Sequence, residues 1–172
     1  MPVFLIGLPG SGKSTIGQAV ADRLAAPFVD LDRDIERAAG KPISRIFSED
    51  GEPRFRELEA EATARLPRTP AIVAPGAGWI CNEAIRVLVP QPGPTIYLRV
   101  EPRTAALRLG AGAADRPLLA GDPEKELERL LAARHRLYES ADAIVDTDQY
   151  QFDHVAQRTA ELASALLQHR TK

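Results

Sequence analysis

The run Gly7-Leu8-Pro9-Gly10-Ser11-Gly12-Lys13-Ser14-Thr15 carries the spacing G-x-x-x-x-G-K-[ST], which is suited to gripping a chain of phosphates. Its glycines let the loop wrap closely round an anion. Backbone N–H groups and the positive end of the following helix would face that anion, and Lys13 adds a mobile positive charge. The Ser14 hydroxyl is placed for Mg²⁺. Gly10, Ser11, Gly12, Lys13, Ser14 and Thr15 are therefore the candidate nucleotide-binding residues. The bland alternative is a glycine-rich turn that binds nothing. Against it stand the apolar run Val3-Phe4-Leu5-Ile6 ahead of the loop and the helix-compatible run from Lys13 after it, which give the strand-to-helix context this motif requires.

A second place for chemistry is Phe28-Val29-Asp30-Leu31-Asp32, where strand-like residues end in two carboxylates. Open α/β sheets bind ligands at the carboxyl ends of their strands. Strand alternation predicts that Asp30 and Asp32 point to one side. Beside a phosphate loop, one carboxylate can help hold Mg²⁺ and the other can accept a proton from a substrate hydroxyl. The competing structural reading is that Asp32 caps the next helix while Asp30 is solvated.

The elements that must position these residues alternate between short apolar and longer amphipathic runs. Strands are expected at 2–7, 27–30, 71–74, 94–99 and 143–146, and helices at about 13–25, 31–39, 53–66, 82–89, 101–109, 123–140 and 153–169. This alternation predicts a parallel sheet covered by helices on both faces. Asp122-Pro123 reads as a helix start, and Gly40 after Arg37-Ala38-Ala39 as a helix stop. The stretch Gly110-Ala111-Gly112-Ala113-Ala114 has side chains too small to bury much area and reads as a mobile loop or an ordinary connection.

Length and composition bound the remaining possibilities. The 172 residues, 44% of them hydrophobic, suit a single domain with one sizeable core. The formal net charge of −2, from 22 basic and 24 acidic residues without a long run of either sign, gives no electrostatic reason to expect nucleic acid or a membrane as partner. A small molecule is the expected partner. Cys81 stands alone and cannot form an internal disulfide, and the chain opens on a strand without a charged leader. The expectation is a cytoplasmic protein acting as a monomer. His135, His154 and His169 show no metal-ligand spacing and are read as surface residues.

Taken together, the phosphate loop, Asp30-x-Asp32 with Ile35-Glu36, Gly51-Glu52 leading to Phe55-Arg56-x-x-Glu59, and Arg116-Pro117-Leu118-Leu119 resemble the shikimate kinase family over nearly the whole chain. The resemblance implies a three-layer αβα P-loop kinase fold with a five-stranded parallel sheet. It also implies one domain over 1–172, with a substrate-binding helical segment at about 31–62 and a lid at about 110–121. The implied activity is phosphoryl transfer from ATP, with Mg²⁺, to the 3-hydroxyl of shikimate. Another hydroxy acid such as gluconate, or a nucleotide-binding switch that phosphorylates nothing, are the alternatives.

On the same resemblance Asp32 binds the substrate hydroxyls and acts as base, and Asp30 and Ser14 lie near Mg²⁺. Arg56 and Arg134 hold the substrate carboxylate, for which a guanidinium fork is better matched than an ammonium. Glu59, one helical turn on, is expected to orient Arg56. Arg116 corresponds to the lid arginine over the phosphates, joining Lys13 and Asp32 as a catalytic residue, and Arg108 to the residue that stacks on adenine, with 148–152 opposite it. Gly76 and Gly78 are candidates for substrate contact. The sequence departs from the family at Ala74-Pro75-Gly76-Ala77-Gly78-Trp79, where three glycines are usual. Ala77 adds a methyl group and disfavours positive φ, so an altered acceptor pocket is expected there. Trp79 either lines that pocket or fills the core beneath it, with packing the expectation.

Overall fold

Strand β1, Pro2–Ile6, is buried along its whole length, and alternate residues serve opposite faces of the sheet. Val3 and Leu5 join Ile16 and Val20 in one core, whereas Phe4 and Ile6 join Leu31, Phe55, Trp79 and Tyr97 in another. A strand buried on both faces reads as a continuous apolar run, which is why this one is visible in the sequence. The computed structural model describes residues 1–110 and 122–169.

The other strands are β2 Phe28–Asp30, β3 Ala71–Ala74, β4 Thr95–Arg99 and β5 Ala143–Asp146. All pair in parallel, in the order β2-β3-β1-β4-β5. Helices α1 (Lys13–Leu24) and α8 (Phe152–His169) cover one face and contact each other extensively. The opposite face carries α2 (Leu31–Ala39), α4 (Gly51–Ala64), α6 (Pro102–Leu109) and α7 (Pro123–Glu139). This is the expected three-layer α/β architecture. Among the described residues no helix is long and apolar enough to cross a membrane.

Helix ends fall where the punctuation residues lie. Gly40 closes α2 at φ 67°, and Asp122 accepts a hydrogen bond from the Lys125 N–H with Pro123 in the first turn of α7. Three short elements were not anticipated: α3 (Ile43–Arg45), the π-helical turn Ile46–Asp50 that joins it to α4, and the 3₁₀ turn Trp79–Cys81. The helix expected at 82–89 is a single turn, α5 (Glu83–Arg86), which leaves Val87 and Leu88 exposed. Trp79 is core: it stacks on Phe4 with ring centroids 5.0 Å apart, and its Nε1 donates to Thr63 Oγ1 at 3.1 Å.

Candidate active site

A cavity of about 1140 Å³ opens at the carboxyl ends of the strands and joins the phosphate loop to α2, α4 and the segment after β3. The loop's shape depends on its glycines. Gly10 and Gly12 have φ of 80° and 91°, a region costly for other residues. Gly10 also packs so tightly that a Cβ would stand 2.6 Å from the Ala105 carbonyl oxygen. Lys13 lies across this cradle, its Nζ donating to the Gly7 and Leu8 carbonyls at 3.0 and 2.8 Å. Ser14 and Thr15, in the first turn of α1, line the cavity. Ser11 is different: it is fully buried, its N–H donates to the Leu8 carbonyl at 3.2 Å, and its hydroxyl has no hydrogen-bond partner among the described residues.

Asp30 and Asp32 both line the cavity, but strand alternation is not the reason. Strand β2 ends at Asp30. There the backbone is extended (φ −106°, ψ 106°), and the side chain accepts from the Arg33 N–H at 3.3 Å as the N-cap of α2. Asp32 is already in the first helical turn. Asp30, expected to be solvated if it served structure, is therefore the capping residue and is only 9% exposed. Asp32, the expected cap, is turned toward the segment after β3. A Cβ on Gly76 would stand 2.6 Å from Asp32 Oδ1, so glycine at 76 leaves that carboxylate its place.

Arg56 is fixed from two sides. Its Nη1 donates to Glu59 Oε2 at 2.7 Å, as the spacing predicted. Its Nε and Nη2 donate to Glu52 Oε1 at 3.2 and 2.9 Å, a contact not anticipated although Glu52 and Arg56 lie four apart on one helix, the spacing of neighbours on a helical face. Burial pushes the Glu59 carboxyl above its ordinary range against the pull of Arg56. Partial burial of Arg56 works against its charge, but Glu59 and Glu52 outweigh it and the net shift is upward. The guanidinium also lies over the Phe55 ring, 5.3 Å from its centroid.

The segment 76–78 adjoins both arginines, although Arg134, unlike Arg56, is not among the residues that line the cavity. Arg134 Nη1 donates to the Ala77 carbonyl at 2.8 Å, with the Tyr138 hydroxyl at 3.5 Å from the same oxygen. A Cβ on Gly78 would lie 3.7 Å from Arg56 Nη1. The anticipated strain at Ala77 does not arise, because Ala25 is the one non-glycine residue with positive φ among the described residues. Gly76 and Gly78 supply space, not an unusual backbone conformation. Arg136 and His135, on the same helix, are exposed, as is His154.

At the far end of the cavity Arg108 is tied to Thr147, the residue that follows β5. Its Nη1 donates to Thr147 Oγ1 at 2.9 Å and its Nη2 to the Thr147 carbonyl at 2.6 Å, with Asp148 Oδ1 4.0 Å away. Thr147, Tyr150 and Phe152 line the same end. Thr147 was not singled out in the sequence, where it gives no local signal. Arg116 and all of the expected lid but Gly110 lie outside the described residues, as does the side chain of His169.

The family model for shikimate kinase matches residues 9–164. A shikimate kinase of Thermobifida fusca is 45% identical over 160 residues, which is 92% of this chain and 90% of that protein. A solved shikimate kinase from Acinetobacter baumannii, in complex with shikimate, superposes with a TM-score of 0.85 at 34% identity, covering 95% of this chain and 93% of the other. A gluconokinase from Sinorhizobium meliloti shares the fold alone, at a TM-score of 0.61 and 18% identity over 99% of this chain and 95% of the other. With the phosphate loop, the carboxylate at the head of α2 and the twice-clamped arginine of α4 gathered round one cavity, the chain belongs to the shikimate kinase family.

Proposed function

We propose that this protein transfers the γ-phosphoryl group of ATP to the 3-hydroxyl of shikimate, giving shikimate 3-phosphate and ADP. The observation that carries the reading is the placement of Asp32 and Arg56 on the same cavity as the phosphate loop. A carboxylate base and a carboxylate-binding fork there suit an acceptor with hydroxyls at one end and an acid at the other. The hydroxyl oxygen forms the new bond to phosphorus, the bond to the leaving ADP oxygen breaks, and Asp32 takes the hydroxyl proton. Lys13, lifted from the Gly7 and Leu8 carbonyls, neutralises charge on the phosphates. Arg56 and Arg134 orient the acid, and the Arg108 plane is the platform for adenine.

Mg²⁺ would be held by Ser14 and Asp30, and when bound it neutralises charge on the phosphate oxygens. The residues fit this ion. Ser14 and Asp30 both line the cavity beside the phosphate loop, and Mg²⁺ beside a phosphate chain needs only one or two protein ligands. Arg116 is assigned to the lid on sequence resemblance, with substrate-binding helices over about 31–62 in a single domain. We place the protein in the cytoplasm as a monomer handling small molecules, in keeping with its net charge of −2.

Coupled measurement of ADP release with shikimate, gluconate and other hydroxy acids tests the reading. Shikimate should stimulate release far above any other acid. Acceptor-independent hydrolysis with no stimulation would favour a nucleotide switch, and a preference for gluconate would move the assignment to another sugar-acid kinase.

A further inference from the structure

The two carboxylates on Arg56 differ in what it would cost to remove them. Glu59 is 2% exposed and accepts from Nη1; leaving its charge buried without a partner would be costly. Glu52 is 61% exposed, lines the cavity, and engages the Nε/Nη2 edge through one oxygen. That edge is one of the two on which a guanidinium can take a carboxylate through two parallel N–H groups. An acidic side chain of the protein therefore sits on that edge.

Charge counting sharpens the point. Glu52, Arg56 and Glu59 together carry one net negative charge. Arg134, tied to the neighbouring Ala77 carbonyl, brings the group to neutrality. An arriving carboxylate with Glu52 still in place would put three acids against two guanidinium groups. The acid that can leave is Glu52, since water can hydrate it as soon as it rotates outward. Its position in the first turn of α4 suits a carboxylate whether paired or free, because that end of a helix is electropositive.

We infer that Glu52 is an exchangeable counter-ion. It keeps Arg56 paired and aligned while the site is empty, and it gives up the Nε/Nη2 edge to the carboxylate of the acceptor. The inference rests on the proposed reading that the acceptor's acid docks at Arg56. It makes Glu52 a specificity-determining residue acting through Arg56: affinity for the acid is held below what the two arginines alone would deliver. A neutral acceptor, unable to replace Glu52, finds the seat taken.

The test is equilibrium binding of shikimate and of its neutral carboxamide to wild type, Glu52→Gln and Glu52→Ala, by calorimetry at low and high salt, with steady-state KM and kcat alongside. Both variants should bind shikimate more tightly, roughly two- to fivefold, the scale of a half-exposed ion pair that no longer has to be broken. The gain should lie in KM, and it should shrink at high salt as screening weakens the removed repulsion. Weaker shikimate binding by both variants would make Glu52 a fixed clamp and overturn the exchange, as would unchanged binding. In either case phosphorylation of shikimate by the wild type would leave the acceptor reading standing. A wild type that binds neither shikimate nor its amide would overturn both.

Discussion

Gly76 and Asp32 are matched in space: the Cβ that Gly76 lacks would stand 2.6 Å from Asp32 Oδ1. An alanine there meets the end of a short side chain, which cannot make room without leaving its post. Gly76→Ala should therefore lower kcat/KM by roughly 10–100-fold. Gly78→Ala meets Arg56 only at 3.7 Å, an ordinary contact, and should keep most of the activity. Equal losses in the two variants would show that room for Asp32 is not what position 76 supplies.

The two aspartates should separate by phenotype. Asparagine caps a helix about as well as aspartate, so Asp30→Asn should fold normally and raise the Mg²⁺ concentration needed for half-maximal rate. Asp32→Asn should cut turnover by about 10²–10⁴-fold, the range for losing a general base, with ATP affinity little changed. Matching Mg²⁺ and turnover profiles would remove the division of roles.

Lys13 donates through Nζ to two loop carbonyls, and the same ammonium is the group that would turn to the phosphates. Lys13→Ala should lose about 10²–10³-fold in kcat, the scale for deleting a donor aimed at developing charge. Wild-type turnover in a folded variant would contradict the catalytic assignment of the loop.

The acceptor end is best probed with charge. Losing charge-assisted hydrogen bonds worth about 1.5–3 kcal/mol each should put the shikimate amide below the acid by roughly 10–100-fold in kcat/KM. Arg56→Lys should bring the acid down toward the amide, because lysine keeps the charge but not the fork. Steady-state kinetics on both compounds in both proteins decides it; equal use of acid and amide by the wild type would mean that no carboxylate is read here.

Stability should respond to acid through Arg99 and Asp146, which face each other across β4 and β5. Arg99 Nε donates to Asp146 Oδ1 at 2.6 Å and Nη2 to Oδ2 at 2.8 Å, and this fork holds the Asp146 carboxyl below its ordinary value of 3.8. A carboxyl whose folded pKa is depressed stabilises fully above the unfolded value and loses that contribution as pH falls through the folded one. Both partners are partly exposed, so the pair contributes about 1 kcal/mol at most. The gap in urea midpoint between wild type and Asp146→Asn should be present at pH 7 and narrow below about pH 3.8. A gap that does not change with pH would show that the carboxylate's charge is not the source.

What the sequence determined by itself is what depends on near neighbours. The phosphate loop, its strand and its helix lie within Pro2–Leu24, and periodicity with glycine spacing is enough to place them. The Arg56–Glu59 pair is one helical turn and was legible for the same reason; Glu52, one turn the other way, was equally available. The end of β2 at Asp30 was legible as well, but which aspartate caps α2 was not, because that turns on the extended backbone at Asp30 and on the room that Gly76, far along the chain, leaves for Asp32. Tertiary structure alone decided the long-range meetings: Arg134 with Ala77, 57 residues apart, and Arg108 with Thr147, 39 apart. Neither pair shares a strand or helix. Each meets because the order β2-β3-β1-β4-β5 lays the carboxyl ends of distant strands side by side, and a contact made by sheet order leaves no periodic trace in the chain.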